Sequence, residues 1–336
     1  MSMDRKREQL MQNWVRTQLN DSKMVITPLT GDASFRSYLR AKSQDKSFII
    51  MNAPPEKEDI GPWITIARRM RNASLNTPEI FSEDRKNGFI LMSDLGDTTY
   101  LDALNADTVD VLYRDAISAL FGMQQRCKAD DLPVYDEVRL RTEMNLFPEW
   151  FLERHLGLKI RASERMIIER VFEKLVASAL EQPQAFVHRD YHSRNLMRRD
   201  RENPGILDFQ DAVRGPITYD LVSLLRDCYI EWPADKVLAW VNQYRDRLTK
   251  AGVIGDRELR FKRWFDWMGL QRHIKVLGIF ARLNYRDGKP GYLKDLPRVL
   301  GYVLQVAGKN KDLGPFAEWL VDKTADIDLT QPREEA

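Results

Sequence analysis

The chain has 336 residues, 30% of them charged and 43% hydrophobic, with a formal net charge of +2. This is the composition of an ordinary globular protein, long enough for two lobes and with no global charge that calls for a nucleic-acid partner. Two cysteines, Cys127 and Cys228, make neither a disulfide framework nor a zinc pattern. No signal-peptide core or transmembrane-length apolar run is present, so a cytoplasmic protein without a membrane partner is expected.

An amphipathic helix is predicted over 4–19, with Leu10, Met11, Trp14, Val15 and Leu19 on one side. Strands follow at 25–30, 36–40 and 47–51. The turn between the first two is Gly31, Asp32, Ala33, Ser34 and Phe35. It reads either as an ordinary hairpin or as a loop whose backbone N–H groups lie against phosphates; no Walker A lysine follows it. After a helix near 58–73, strands at 78–81 and 89–92 flank an Asn87-Gly88 turn signal. Residues Met92 to Asp97 read as an extended crossing into the helical region, and by order along the chain backbone groups of Ser93, Asp94 and Leu95 could hydrogen-bond an adenine if this half is a nucleotide-binding lobe. The fold expected from this half is a small antiparallel β lobe.

From residue 100 the pattern turns helical, at 107–121, at 140–156 with a break at Pro148, and at 163–181. His155 reads as a packing histidine. The dense stretch 261–285 is apolar nearly all round, as in a central core helix. Arg272, His273 and Lys275 interrupt it, and either line a substrate pocket or form a solvated stripe. Further helices are expected at 293–306 and 314–324. Tyr229 and Trp232 read equally as a substrate wall or as core.

The stretch that organises the chain is His188-Arg-Asp190-Tyr-His192-Ser-Arg-Asn195, followed by an apolar return ending in Asp208. A hairpin between Leu196 and Leu207 would bring Asn195 and Asp208 to one end. Asp190 is placed to orient a hydroxyl or accept its proton. Asn195 and Asp208 are hard oxygen ligands suited to Mg²⁺ bridging ATP phosphates. His188 reads as a catalytic-loop buttress, and Asp220 as a tie to the loop backbone.

In this register the sequence resembles the kinase-like phosphotransferases, specifically the aminoglycoside phosphotransferase/choline kinase branch. Gly31-Asp-Ala-Ser-Phe-Arg36, Met51-Asn-Ala-Pro-Pro55, Met92-Ser-Asp-Leu-Gly96, Leu207-Asp-Phe-Gln-Asp-Ala212, Gly215-Pro-Ile-Thr-Tyr-Asp220 and Gln271–Gly278 make it most similar to the anomeric N-acetylmuramate/N-acetylglucosamine kinases of bacterial cell-wall recycling. The resemblance implies an α+β, bilobal protein-kinase-like fold. A nucleotide lobe over 1–95 and a mostly helical catalytic lobe over 96–336 would hold ATP in the cleft. It implies ATP and Mg²⁺ as cofactors and a monomer that makes a sugar 1-phosphate, on a route that lessens dependence on the fosfomycin target. Where the third strand of kinases carries lysine, this chain has Met51. Arg36 and Arg40 are the nearest replacements, Lys46 a poorer one and Glu58 a possible partner; each arginine reads equally as a solvated strand-edge charge. Expected substrate contacts are Asp190, His192, Arg214, Tyr229, Trp232, Arg272 and Lys275. Arg214, Arg226, Arg272 and Lys275 would tolerate an anionic lactyl group. The rivals are the same chemistry on an aminoglycoside, choline, homoserine or another sugar, and an ATP-binding regulator without catalysis.

Overall fold

The computed structural model describes residues 5–29, 35–44 and 46–333, which divide into two compact units. The first comprises the chain to Cys127 together with Arg194–Asp211, and the second comprises Lys128–Ser193 and Ala212 onward. Packing thus groups the helices up to Cys127 with the sheet, whereas the sequence reading set its boundary at residue 95.

The first unit is built on five antiparallel strands: β1 (Val25–Pro28), β2 (Ser37–Ser43), β3 (Lys46–Asn52), β4 (Ile80–Asp84) and β5 (Phe89–Ser93), in the order β1-β2-β3-β5-β4. Side chains alternate across such strands. Leu39 and Ala41 of β2, Ile50 of β3, and Phe89 and Leu91 of β5 share one core with Met11 and Val15 of helix α1 (Arg5–Leu19). Leu10, expected on that apolar side, is 45% exposed, because the stripe that meets the sheet core runs through Met11, Trp14, Val15 and Leu19. Helix α2 (Gly61–Asn72) joins β3 to β4, α3 (Tyr100–Ala103) and α4 (Val109–Arg126) follow, and Arg126 Nε donates to the Ala73 carbonyl at 2.8 Å, fixing α4 to the end of α2.

The predicted hairpin is present. Strand β7 (Leu196–Met197) pairs with β8 (Gly205–Ile206), and Leu207 N donates to Asn195 O at 2.9 Å. Gly205 is closely packed there: a Cβ would lie 3.0 Å from Leu95 Cδ1 and 3.2 Å from Met197 Cβ, so those side chains would have to give by a few tenths of an ångström.

In the second unit, α9 (Phe261–Tyr285) has the predicted bounds and is contacted by α5 (Glu137–Met144), α6 (Ala162–Leu180), α7 (Tyr219–Leu225) and α10 (Leu296–Gly308). Helices α8 (Ala234–Lys250) and α11 (Gly314–Thr324) complete it. Pro148 does not break a helix as expected. It lies in the first turn of a wide helix over Phe147–His155, where a missing N–H costs nothing, and that helix closes with an i→i−5 bond from Leu156 N to Phe151 O at 2.9 Å. Gly278 lets this segment approach α9, since a Cβ there would fall 2.3 Å from Leu146 C. Strand β6 (Gln184–Val187) pairs with β9 (Val213–Pro216), and the loop beginning at His188 leaves the end of β6.

Candidate active site

In the second unit, the loop after β6 is held from below by carboxylates. Fully buried Asp220 accepts His188 N at 2.7 Å and Arg189 N at 2.9 Å. Asp227 accepts Ser193 N at 2.9 Å and Tyr229 N at 2.9 Å. His188 is buried, and its Nδ1 accepts Asp190 N at 3.3 Å. His188 therefore shapes the loop. Arg189 has φ +78°, a conformation costly without glycine and characteristic of over-determined functional loops.

These restraints leave the Asp190 carboxylate partly exposed amid cations. Burial alone pushes its pKa up, but Lys275, His192, Arg272 and Arg189 outweigh that and hold it below the usual carboxylate value. Burial pushes Asp220, bonded to the same loop, the other way, up to about 7. Its two backbone bonds do not offset the loss of water, and Asp190 adds repulsion.

The interruptions in α9 are not a solvated stripe; Arg272, His273 and Lys275 are all buried. Lys275 Nζ lies 3.0 Å from Glu143 and 3.1 Å from the Tyr219 hydroxyl. Glu143 also takes close bonds from Arg189 and Tyr135. Burial would raise the pKa of Glu143, but Lys275 and Arg189 hold it low. Arg272 donates to Cys228 Sγ at 3.2 Å, while burial pushes the Cys228 thiol up to about 11. His273 is driven down to about 3, first by burial and then by Arg272; its neutral ring stacks on Tyr302 at 4.7 Å and donates Nε2–H to Arg226 O at 2.9 Å. His273 is thus a packing residue. So is His155, with ring nitrogens 3.1 Å from Tyr285 Oη and 3.1 Å from Leu329 O.

Tyr229 and Trp232 do not form one wall. Tyr229 meets His192 edge-on at 5.4 Å, whereas Trp232 meets Trp240 and lines a separate cavity. Arg214 serves through its backbone, pairing with Phe186 and bonding Pro133 and Tyr135.

In the first unit, Asn195 Nδ2 lies 3.3 Å from Asp208 Oδ2, and Gln210 Nε2 lies 2.9 Å from the other oxygen of Asp208. Asp208 is exposed and has φ +61°. One carboxylate and one carboxamide suit a hard cation that fills its shell with phosphate oxygens and water. Among the described residues no group of three or more His, Cys, Asp and Glu could hold a metal by itself.

Met51 is fully buried between Tyr38 and Ile90, so its side chain has no role towards a phosphate. Arg36 pairs closely with Glu58 and acts on Tyr38, whose hydroxyl also feels Asp208. Arg40 is engaged by Asp94 at 2.7 Å and by Asp97. Asp94 further accepts Ser47 Oγ at 2.5 Å and Gly96 N at 2.9 Å. Arg40 and Asp94 thus brace the end of the sheet. Met92 and Leu95 are buried, Ser93 N is committed to Glu79 O at 2.9 Å, and Phe35 is 64% exposed. Gly31, Asp32, Ala33 and Ser34 lie outside the described residues.

The sequence profile of the phosphotransferase enzyme family matches residues 25–261. The chain belongs to this phosphotransferase family. The "N-acetylmuramate/N-acetylglucosamine kinase" of Pseudomonas putida is 42% identical over 323 residues, covering 93% of this chain and 95% of the relative. The protein of the same name from Pseudomonas aeruginosa is 45% identical, covering 88% and 87%. An ADP-bound aminoglycoside phosphotransferase, APH(2'')-Ib, shares the fold with TM-score 0.61 at 14% identity, covering 90% of this chain and 99% of its own. In this phosphotransferase, Glu143, Asp227 and Tyr38 are residues that sequence reasoning missed. Glu143 sits in a charge-rich helix with no signature, and Asp227, seven residues after Asp220, belongs to no spaced motif. No helix among the described residues is long and apolar enough to cross a membrane.

Proposed function

We propose that this phosphotransferase moves the γ-phosphoryl group of ATP to the anomeric hydroxyl of N-acetylmuramate or N-acetylglucosamine, giving the sugar 1-phosphate. Both Pseudomonas relatives are named N-acetylmuramate/N-acetylglucosamine kinase, and the match covers 95% and 87% of their length. The observation that carries the reading for this chain is the setting of Asp190, a carboxylate kept ionised by Lys275, His192, Arg272 and Arg189. Lys275 and Arg189 are paired with Glu143, so the charge left for an acceptor is that of Arg272, which complements the lactyl carboxylate of N-acetylmuramate.

In this mechanism Asp190 orients the O1 hydroxyl and accepts its proton as the phosphorus–oxygen bond forms. An anomeric hydroxyl is more acidic than an ordinary alcohol, and in a loose transition state the proton leaves late. Asp190 therefore acts mainly by orientation, with its carboxylate as an adequate base. Asp220 and Asp227, through the loop amides, keep that orientation. Asn195 and Asp208 would hold Mg²⁺, which when bound neutralises phosphate charge. Arg36, oriented by Glu58, takes the place of the third-strand lysine. Backbone at Asp94 and Leu95 would meet adenine, and the loop at 31–35 the phosphates. The reading carries with it a monomeric cytoplasmic enzyme acting on a small molecule.

The test is ADP release with Mg·ATP across N-acetylmuramate, N-acetylglucosamine, glucose, choline and kanamycin. Turnover confined to the two N-acetyl sugars supports the proposal. Turnover on choline or kanamycin alone overturns it, and nucleotide binding without turnover on any acceptor favours the regulator.

A further inference from the structure

The second unit contains a cavity of about 810 Å³, within the size range of small-molecule sites. It lies among α8, the start of α9, α10 and the segment after α7. Asp190, His192, Tyr229, Arg272 and Lys275 are not among its lining residues. The cavity is therefore separate from the acceptor end of the catalytic loop.

Its lining combines three kinds of group. Trp232, Trp267 and Tyr302 supply aromatic surface, Trp232 and Trp267 being half-exposed. Gln305 and Asn310 supply amides that donate and accept hydrogen bonds. Arg226, Lys262, Arg263 and Lys309 stand with Glu231 and Asp266 in the lining, and Arg263 is also paired with Glu181 beside it, which leaves one cation in excess. Asp266 is already neutralised by Arg226 at 2.6 Å and Lys262 at 2.6 Å. The guanidiniums are pre-positioned, Arg226 4.6 Å above Phe265 and Arg263 5.7 Å above Trp267. Aromatic faces take the C–H faces of a pyranose, amides take its hydroxyls, and the surplus cation takes an anionic substituent.

We infer that this cavity is a second saccharide site, binding a sugar that bears a carboxylate or a phosphate. The same segment that supplies Arg226 and Trp232 continues into Asp227, which holds the Ser193 amide, so the site shares a wall with the support of the catalytic loop. The inference uses the proposed kinase reaction only to choose probes.

The experiment is equilibrium dialysis of the full chain against N-acetylmuramate 1-phosphate, N-acetylmuramate and N-acetylglucosamine, repeated with Trp267→Leu and Lys309→Glu. Neither residue belongs to the catalytic machinery. The expected result is two equivalents of an anionic sugar per chain, one of them weakened about tenfold or more by each substitution, with kcat and KM at low acceptor concentration unchanged. The phosphate and carboxylate arms show which anion is preferred. No binding, equal retention of the neutral sugar, or the absence of any equivalent that both substitutions weaken overturns the inference. If the kinase reading fails, acceptor turnover disappears while the substitution-sensitive equivalent remains.

Discussion

Replacing Asp220 with asparagine separates the charge of the loop clamp from its shape. Asp220 is fully buried, and burial raises its carboxyl from an ordinary 3.8 to about 7. Between those values the folded chain holds a proton that the unfolded chain has released, so stability is greatest below pH 4 and falls as pH rises towards 7. A shift of that size corresponds to about 4 kcal/mol, an order-of-magnitude figure. Asparagine keeps the shape but turns an NH₂ towards one of the two backbone N–H donors, at a cost of about 1–3 kcal/mol. Urea unfolding followed by tryptophan fluorescence from pH 4 to 8 measures both terms. The expected outcome is that Asp220→Asn is less stable than the parent near pH 4 and gains on it steadily to pH 8. A stability difference that stays constant across this range would refute the argument, because the ionisation of Asp220 would then carry no folding energy.

Lys275→Met removes the cation that acts most strongly on Asp190; the acid limb of kcat/KM should move to higher pH, and an unmoved limb would mean that Lys275 does not set the ionisation of Asp190. Arg36→Ala should weaken Mg·ATP binding about tenfold or more, the worth of a charge-assisted bond, with acceptor KM little changed; equal nucleotide affinity by calorimetry would exclude Arg36 as the replacement for the missing lysine. Gly278→Ala places a Cβ 2.3 Å from Leu146 C and 2.6 Å from Phe147 N. It should cost about 1–3 kcal/mol of overpacking, read as a lowered Tm, and an unchanged Tm would show that the wide helix can withdraw.

Much of the fold follows from periodicity. The bounds of α9 and α11, four strands of the sheet and the Leu196–Ile206 hairpin match the pattern of apolar residues and turns, while β4 is Ile80–Asp84 rather than 78–81 and runs into the expected turn. Helix α8, not among the expected elements, also carries a helical pattern, with Val237, Trp240, Val241, Tyr244 and Leu248 buried. Strand β9 was not legible, because Val213-Arg-Gly-Pro216 has no strand pattern and is a strand only by pairing with β6. The burial of Lys275 was similarly hidden. A lysine in an apolar helix is expensive unless paired, and its partner Glu143 lies more than a hundred residues earlier in the chain. Within the candidate site, spacing named Asp190, Asn195 and Asp208, since those roles are local to one loop and hairpin. It could not separate Arg36 from Arg40, because what distinguishes them is their partners: Glu58 for one, Asp94 and Asp97 for the other.

In the proposed reaction Asp190 directs phosphoryl transfer to an anomeric oxygen. The most direct test is ³¹P NMR of the product formed from N-acetylmuramate and Mg·ATP, by the parent chain and by Asp190→Asn. The expected result is a phosphorus resonance coupled to the anomeric proton, with the rate of its appearance lowered about a thousandfold by the substitution. A phosphate on any other hydroxyl, or transfer undiminished in Asp190→Asn, would contradict it.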